Sequence, residues 1–138
     1  MQEWEDKMKK ALFIVLIALT LFNLTGCSKY RSSYKAVILV TTNTSSKASM
    51  RFHSFEGTYV FKLKNKKDGG ILKYSGSLDT GALNVYYDNE NEKTHLFSIK
   101  QDDSDVSSSI EGLEKGTIYI IVETSIKCAD GELSFELE

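Results

Sequence analysis

The C-terminal stretch Gly131-Glu132-Leu133-Ser134-Phe135-Glu136-Leu137-Glu138 decides the fold. Leu133, Phe135 and Leu137 fall on one side of it, and Glu132, Ser134, Glu136 and Glu138 on the other. That period of two belongs to a β-strand with one dry face and one wet face. The pattern recurs upstream. Ile118, Ile120 and Val122 alternate with Tyr119, Ile121 and Glu123, and Leu83, Val85 and Tyr87 alternate with Asn84 and Tyr86. Leu72, Tyr74, Gly76 and Leu78 do so against Lys73, Ser75 and Ser77, as do Tyr59, Phe61 and Leu63 against Val60, Lys62 and Lys64. Tyr34 to Thr42 is more continuously apolar and reads as a strand covered on both sides. Between the runs stand Asp68-Gly69-Gly70, Asp79-Thr80-Gly81, Glu114-Lys115-Gly116 and Asp130-Gly131, with glycine placed to supply the positive φ of tight turns. About eight strands at this spacing predict an all-β chain, a single antiparallel β-sandwich of jelly-roll type over residues 34–138.

Composition narrows the function classes. The chain has 138 residues, of which 26% are charged, with a net charge of −2. Its pI near 5.7 excludes the basic footprint of a nucleic-acid-binding domain. Hydrophobic residues at 41% are too many for a disordered segment. The sequence contains no proline.

The first 27 residues have a different character. Met8-Lys9-Lys10 forms a basic head before an apolar run from Ala11 to Leu24, broken only by Thr20 and Asn23. As a helix that run reaches about 21 Å, short of the roughly 30 Å hydrocarbon core of a bilayer. It therefore reads as the core of a signal peptide rather than a spanning helix. Leu24-Thr25-Gly26-Cys27 follows, and this resembles the bacterial lipobox. The resemblance implies cleavage before Cys27 and diacylglyceryl attachment to its thiol. The expected organisation is a signal peptide over 1–26, a polar tether over 27–33 and the β-sandwich over 34–138. The protein would be exported and held on the cell membrane, facing outside the cytoplasm. Two acyl chains, at about 0.8 kcal/mol per buried CH₂, give a firm anchor. Met1 to Lys7 carries Glu3, Glu5 and Asp6 ahead of the basic head, which opposes the usual signal asymmetry. Translation from Met8 is the expectation that follows, and Trp4 would then be absent. With Cys27 acylated, Cys128 has no disulfide partner and reads as a buried small residue near a turn.

Side chains suited to chemistry are few. His53, among Arg51, Phe52 and Phe55, and His95, among Thr94, Leu96 and Phe97, each read as a strand residue with a partly covered ring. No G-x-S-x-G elbow occurs, and Ser45-Ser46 and Ser107-Ser108-Ser109 read as loop or edge segments. No catalytic set and no cofactor are expected. Asp102, Asp103 and Asp105, or Asp88 with Glu90, offer hard oxygens that could hold a structural Ca²⁺, although both stretches read first as solvated loops. Tyr86 and Tyr119 fall on the outward faces of their strands. With Asn84 they form a candidate ligand platform for a sugar, the alternative being cross-strand packing alone.

Phe55-Glu56-Gly57-Thr58-Tyr59-Val60-Phe61-Lys62-Leu63 resembles the entry strand of bacterial pre-peptidase C-terminal domains and related carbohydrate-binding-like sandwiches. Leu83-Asn84-Val85-Tyr86-Tyr87-Asp88 resembles their central strand, and the stretches Gly116 to Val122 and Gly131 to Leu137 their closing hairpin. Asp79-Thr80-Gly81-Ala82-Leu83 departs from the acidic stretch those domains carry, so the likeness transfers no ligand site. It implies a sandwich and a non-catalytic role. The functional expectation is a lipid-anchored binding or adhesion module for an envelope glycan or protein. The alternative is an accessory subunit of an envelope complex, and an enzyme is the third reading.

Overall fold

A straight 19-residue strand spans about 63 Å, whereas a domain of this size has a radius of gyration of only about 13 Å. The chain contains three strands of that length or more, so each must bend. In the computed structural model, which describes residues 2–24, 29–89 and 92–138, a helix α1 (Gln2–Leu24) precedes six strands. These are β1 (Ser33–Asn43), β2 (Lys47–Asn65), β3 (Gly70–Asp88), β4 (Lys93–Lys100), β5 (Val106–Leu113) and β6 (Gly116–Leu137). All pairings are antiparallel, in the order β1-β2-β6-β3-β4, with β5 also on β3.

The bends of the long strands lie at one level. The register of β2 shifts between Phe55 and Thr58, and that of β3 between Thr80 and Leu83, both opposite the Thr124–Ala129 region of β6. Below the bend, β1, the first half of β2, the second half of β6, the first half of β3 and β5 form one layer. Above it, the second half of β2, the first half of β6, the second half of β3 and β4 form the other. The inward faces then meet. Phe61 of the upper layer stands 6.0 Å from Phe135 of the lower, and Phe97 stacks on Tyr74 at 5.1 Å and 3°. Phe55, Phe61, Leu72, Val85, Ile118, Ile120, Val122 and Phe135 are at most 1% exposed. Burying each such side chain contributes about 1.5–3 kcal/mol.

Glycine makes the bends possible. Gly57 and Gly81 have φ of 123° and 100°, and a Cβ on either would come within 2.3 Å and 2.4 Å of a backbone carbonyl oxygen. The bend is tied across strands as well, since the Gly57 N–H donates to Thr124 Oγ1 at 2.8 Å.

Three expectations need correction. Among the described residues the strands number six rather than about eight, because Asp79-Thr80-Gly81 and Asp130-Gly131 are not turns. Both lie inside continuous strands, the first at the bend of β3 and the second just beyond the bend of β6. Asp68-Gly69-Gly70 and Glu114-Lys115-Gly116 do separate strands. The apolar Tyr34–Thr42 segment is not covered on both sides. It belongs to the edge strand β1, where Val37, Ile38 and Val40 are 53%, 72% and 61% exposed. Lastly, His53 and His95 are exposed rather than partly covered.

Among the described residues, no strand lies beside the outer edge of the upper half of β2. Val60 N–H donates instead to Ser32 Oγ at 2.9 Å, Lys62 N–H to Asn43 Oδ1 at 3.1 Å, and Lys64 N–H to the Ser45 carbonyl at 2.8 Å. Side chains and the β1–β2 turn thus cover an edge that would otherwise invite pairing.

Candidate ligand-binding face

The outward side of the upper layer is set by the register. Asn84, Tyr86 and Asp88 of β3 lie opposite Glu123, Ile121 and Tyr119 of β6, and on the other flank Asn84 and Tyr86 face Ser98 and His95 of β4. The three sequence-predicted platform residues, Asn84, Tyr86 and Tyr119, therefore share one face. Tyr86 and Tyr119 are diagonal neighbours across β3 and β6, within reach of one ligand ring system.

Each has a fixed environment. The His95 ring meets Tyr86 edge-on at 5.6 Å, and Lys93 Nζ stands 4.5 Å from the Tyr86 centroid while pairing with Glu123 at 2.7 Å. Ser98 Oγ donates to Asn84 Oδ1, and His95 Nε2 lies 2.7 Å from that hydroxyl. Asn84 Oδ1 is thus occupied, and its amide nitrogen has no partner among the described residues. It points to a donor for an incoming hydroxyl or carbonyl.

One participant was missed in the sequence. Tyr30, in the segment read as a polar tether, meets Tyr119 edge-on at 5.4 Å, and its hydroxyl donates to Asp88 Oδ2. Lys29 Nζ reaches the same oxygen at 2.7 Å. Asp88 is 2% exposed, so it is not the solvated loop acid expected of it but a buried carboxylate closing β3. Burial first, then the Asp88 carboxylate, push the Tyr30 phenol up to about 12. The signal available in the sequence was a lone aromatic within a run of Ser, Lys and Arg.

The remaining candidates lie apart from this face. His53 sits on the lower layer, its Nδ1 2.9 Å from Asp130 Oδ1, with both side chains largely exposed. Asp102, Asp103 and Asp105 occupy the β4–β5 connection, where Asp103 Oδ2 accepts the Lys100 N–H at 2.9 Å. Among the described residues no group of three His, Cys, Asp or Glu side chains is placed to hold a metal ion. Glu90, the proposed companion of Asp88, lies outside the described residues, as does the Cys27 lipid-attachment position. Among the described residues no helix is long and apolar enough to cross a membrane. Cys128 is fully buried in β6, and burial pushes its thiol up to about 11.

No protein-family model and no curated protein match the chain. Solved structures of similar shape include a carbohydrate-binding module described in complex with β-1,4-galactotriose, 13% identical with a TM-score of 0.43. That match covers 85% of this chain and 92% of the module. A periplasmic inhibitor of g-type lysozyme from Aeromonas hydrophila is 15% identical, with a TM-score of 0.45 over 68% of this chain and 88% of its own. The pre-peptidase C-terminal domain of a Bacillus anthracis collagenase is 11% identical, with a TM-score of 0.43 over 78% of this chain and 89% of that domain. At such identities and scores these likenesses carry no statement about ligand or activity.

Proposed function

We propose that the chain is a lipid-anchored envelope protein, exported and held through Cys27, whose folded part is a non-catalytic module binding a glycan on the upper outer face. One observation carries the ligand reading. Tyr86, Tyr119 and the unpartnered Asn84 amide lie on one sheet face, offering aromatic surface beside a hydrogen-bond donor, as recognition of a sugar ring requires. Glu123 and Lys93 flank them and supply further polar partners. The aromatic residues are held by neighbours rather than free to turn, so little ordering cost falls on binding.

A glycan array with the full chain tests this reading. Tyr86→Ala and Tyr119→Ala should each weaken binding of the selected glycan by about tenfold or more, since a stacked ring is worth on the order of 1.4 kcal/mol. Binding unchanged in both variants would remove the platform. Mass spectrometry of the N-terminal peptide tests the anchor separately, a diacylglyceryl adduct on Cys27 being the expected mass.

A second reading has its own support. The exposed apolar residues of β1 on an open sheet edge favour an accessory subunit that takes a partner strand there. Pull-down from envelope extracts that depends on β1 rather than on Tyr86 and Tyr119 would favour it.

A further inference from the structure

The charge of the folded part is unevenly distributed. Arg31 and Lys62 line one shallow groove with Tyr30, Val60 and Tyr119, so the strip borders the aromatic face, and Lys62 and Lys64 line the next groove, beside Asn43 and Thr117. Lys64, Lys66 and Lys67 line a third. The shared lysines make these grooves one continuous strip along the upper half of β2 and the turn that follows it. All five cations are exposed, and none has a carboxylate partner among the described residues. Glu138, the one acid lining these grooves, is engaged by Lys73 at 2.7 Å. Asp79, Asp102, Asp103 and Asp130 gather instead around the bend, where Gln101 N–H donates to the Gly81 carbonyl. The strip lies at the strand ends, with Asp68 and Glu114 in the adjoining turns, and the bend carries Lys100 and Lys127 as well as its acids.

The chain enters the fold at the same end as the strip. Lys29 and Tyr30 are pinned to Asp88 at the end of β3, and Cys27 lies two residues upstream, at most about 7 Å of extended chain away. We infer that the strip Arg31, Lys62, Lys64, Lys66 and Lys67 rests on the anionic phospholipid headgroups of the membrane, as a second and electrostatic attachment. The inference rests on the anchor reading for its orientation. The diacyl anchor brings the domain to the leaflet, and a basic patch held within a Debye length of anionic headgroups then adds an electrostatic contact that depends on lipid charge and salt. The tether, clamped to Asp88, holds the strip at that distance instead of letting the domain wander. The bend then faces away from the bilayer.

The test is lysine footprinting of the full chain, reconstituted into vesicles of phosphatidylcholine alone or of phosphatidylcholine with phosphatidylglycerol. A water-soluble acetylating reagent is applied and the peptides are read by mass spectrometry. Labelling of Lys62, Lys64, Lys66 and Lys67 should fall by about fivefold in the anionic vesicles and recover at high salt, the factor that corresponds to about 1 kcal/mol per basic residue. Lys100 and Lys127 should label equally in both. Equal labelling of the strip in the two vesicle types, or equal protection of Lys100 and Lys127, overturns the inference. So does protection by inorganic phosphate added to phosphatidylcholine vesicles. A Lys62→Glu/Lys64→Glu/Lys66→Glu variant, altered only at exposed positions, should lose the dependence on lipid composition while keeping the wild-type circular dichroism. The same digest reports the mass at Cys27. Protection without acylation sinks the anchor and leaves the strip, whereas acylation without protection sinks the strip and leaves the anchor.

Discussion

Asp88 shows how one residue changes the meaning of its neighbours. As part of an acidic stretch in the sequence it reads as loop, yet it is buried, accepts the Tyr30 hydroxyl and pairs with Lys29. An uncompensated buried carboxylate is costly, so the two N-terminal residues are held to the sheet by the need to satisfy it. Burial first, and the Asp88 carboxylate second, push the Tyr30 phenol from 10.0 up to about 12. A folded pKa above the unfolded one means the stabilisation is fully present below pH 10 and is lost as pH rises toward 12. Tyr30→Phe should abolish that part of the alkaline loss, read as the difference between wild-type and variant denaturation midpoints from pH 8 to pH 12 (about the span of the titration). Identical curves would show that Tyr30 is not held in this buried contact with Asp88. Asp88 itself could not have been read correctly from sequence, because its burial depends on a partner 58 positions away.

Among the strands, the alternation of Phe61 and Leu63, of Ile118, Ile120 and Val122, and of Leu133 and Phe135 is realised as inward-facing core. What the pattern concealed was continuity. A glycine after an acid and a threonine is a turn signal, but Gly81 bends β3 without reversing it. Gly81→Ala should destabilise the fold by on the order of 1–3 kcal/mol, through both φ strain and the clash with the Lys127 carbonyl. Gly69→Ala, also at positive φ but with nothing within 4 Å, should cost less, about 1 kcal/mol. Thermal melts of the pair check the order, and a larger loss at Gly69 would contradict the bend account. In β1, Ile38 has φ of 50° and is 72% exposed. A β-branched side chain gains little there and is strained, so Ile38→Asn should raise stability by about 1 kcal/mol in urea denaturation. A drop instead would mean that Ile38 packs against something.

At the scale of the whole molecule, two layers made from the same three strands leave one core, and its integrity rests on contacts that cross between them. Phe135 touches Phe61 and Phe97, which belong to the other layer. Phe135→Ala should cost about 3–5 kcal/mol, a large part of the roughly 5–15 kcal/mol margin of an ordinary domain. The check is equilibrium unfolding in urea, and a loss under about 1 kcal/mol would mean the layers do not depend on that contact. Because no disulfide ties the described residues, hydrophobic burial has to carry this load. The same doubling over sets the function proposed here, since it places the aromatic face on one layer and the basic strip beside the point of chain entry.

Alternating side chains determined by themselves that this is a β protein and which residues of the long strands chiefly face its core, because a pleated strand converts spacing of two into sidedness, although Ile121, which alternation places outward, is 1% exposed. They also placed Asn84, Tyr86 and Tyr119 on outward positions. Only the tertiary structure decided that six strands do the work of more, that β1 lies open at an edge, and that Tyr30 caps Tyr119. Each of those depends on where a strand bends and on which distant segment comes to lie beside it, and no local pattern of residues carries that information.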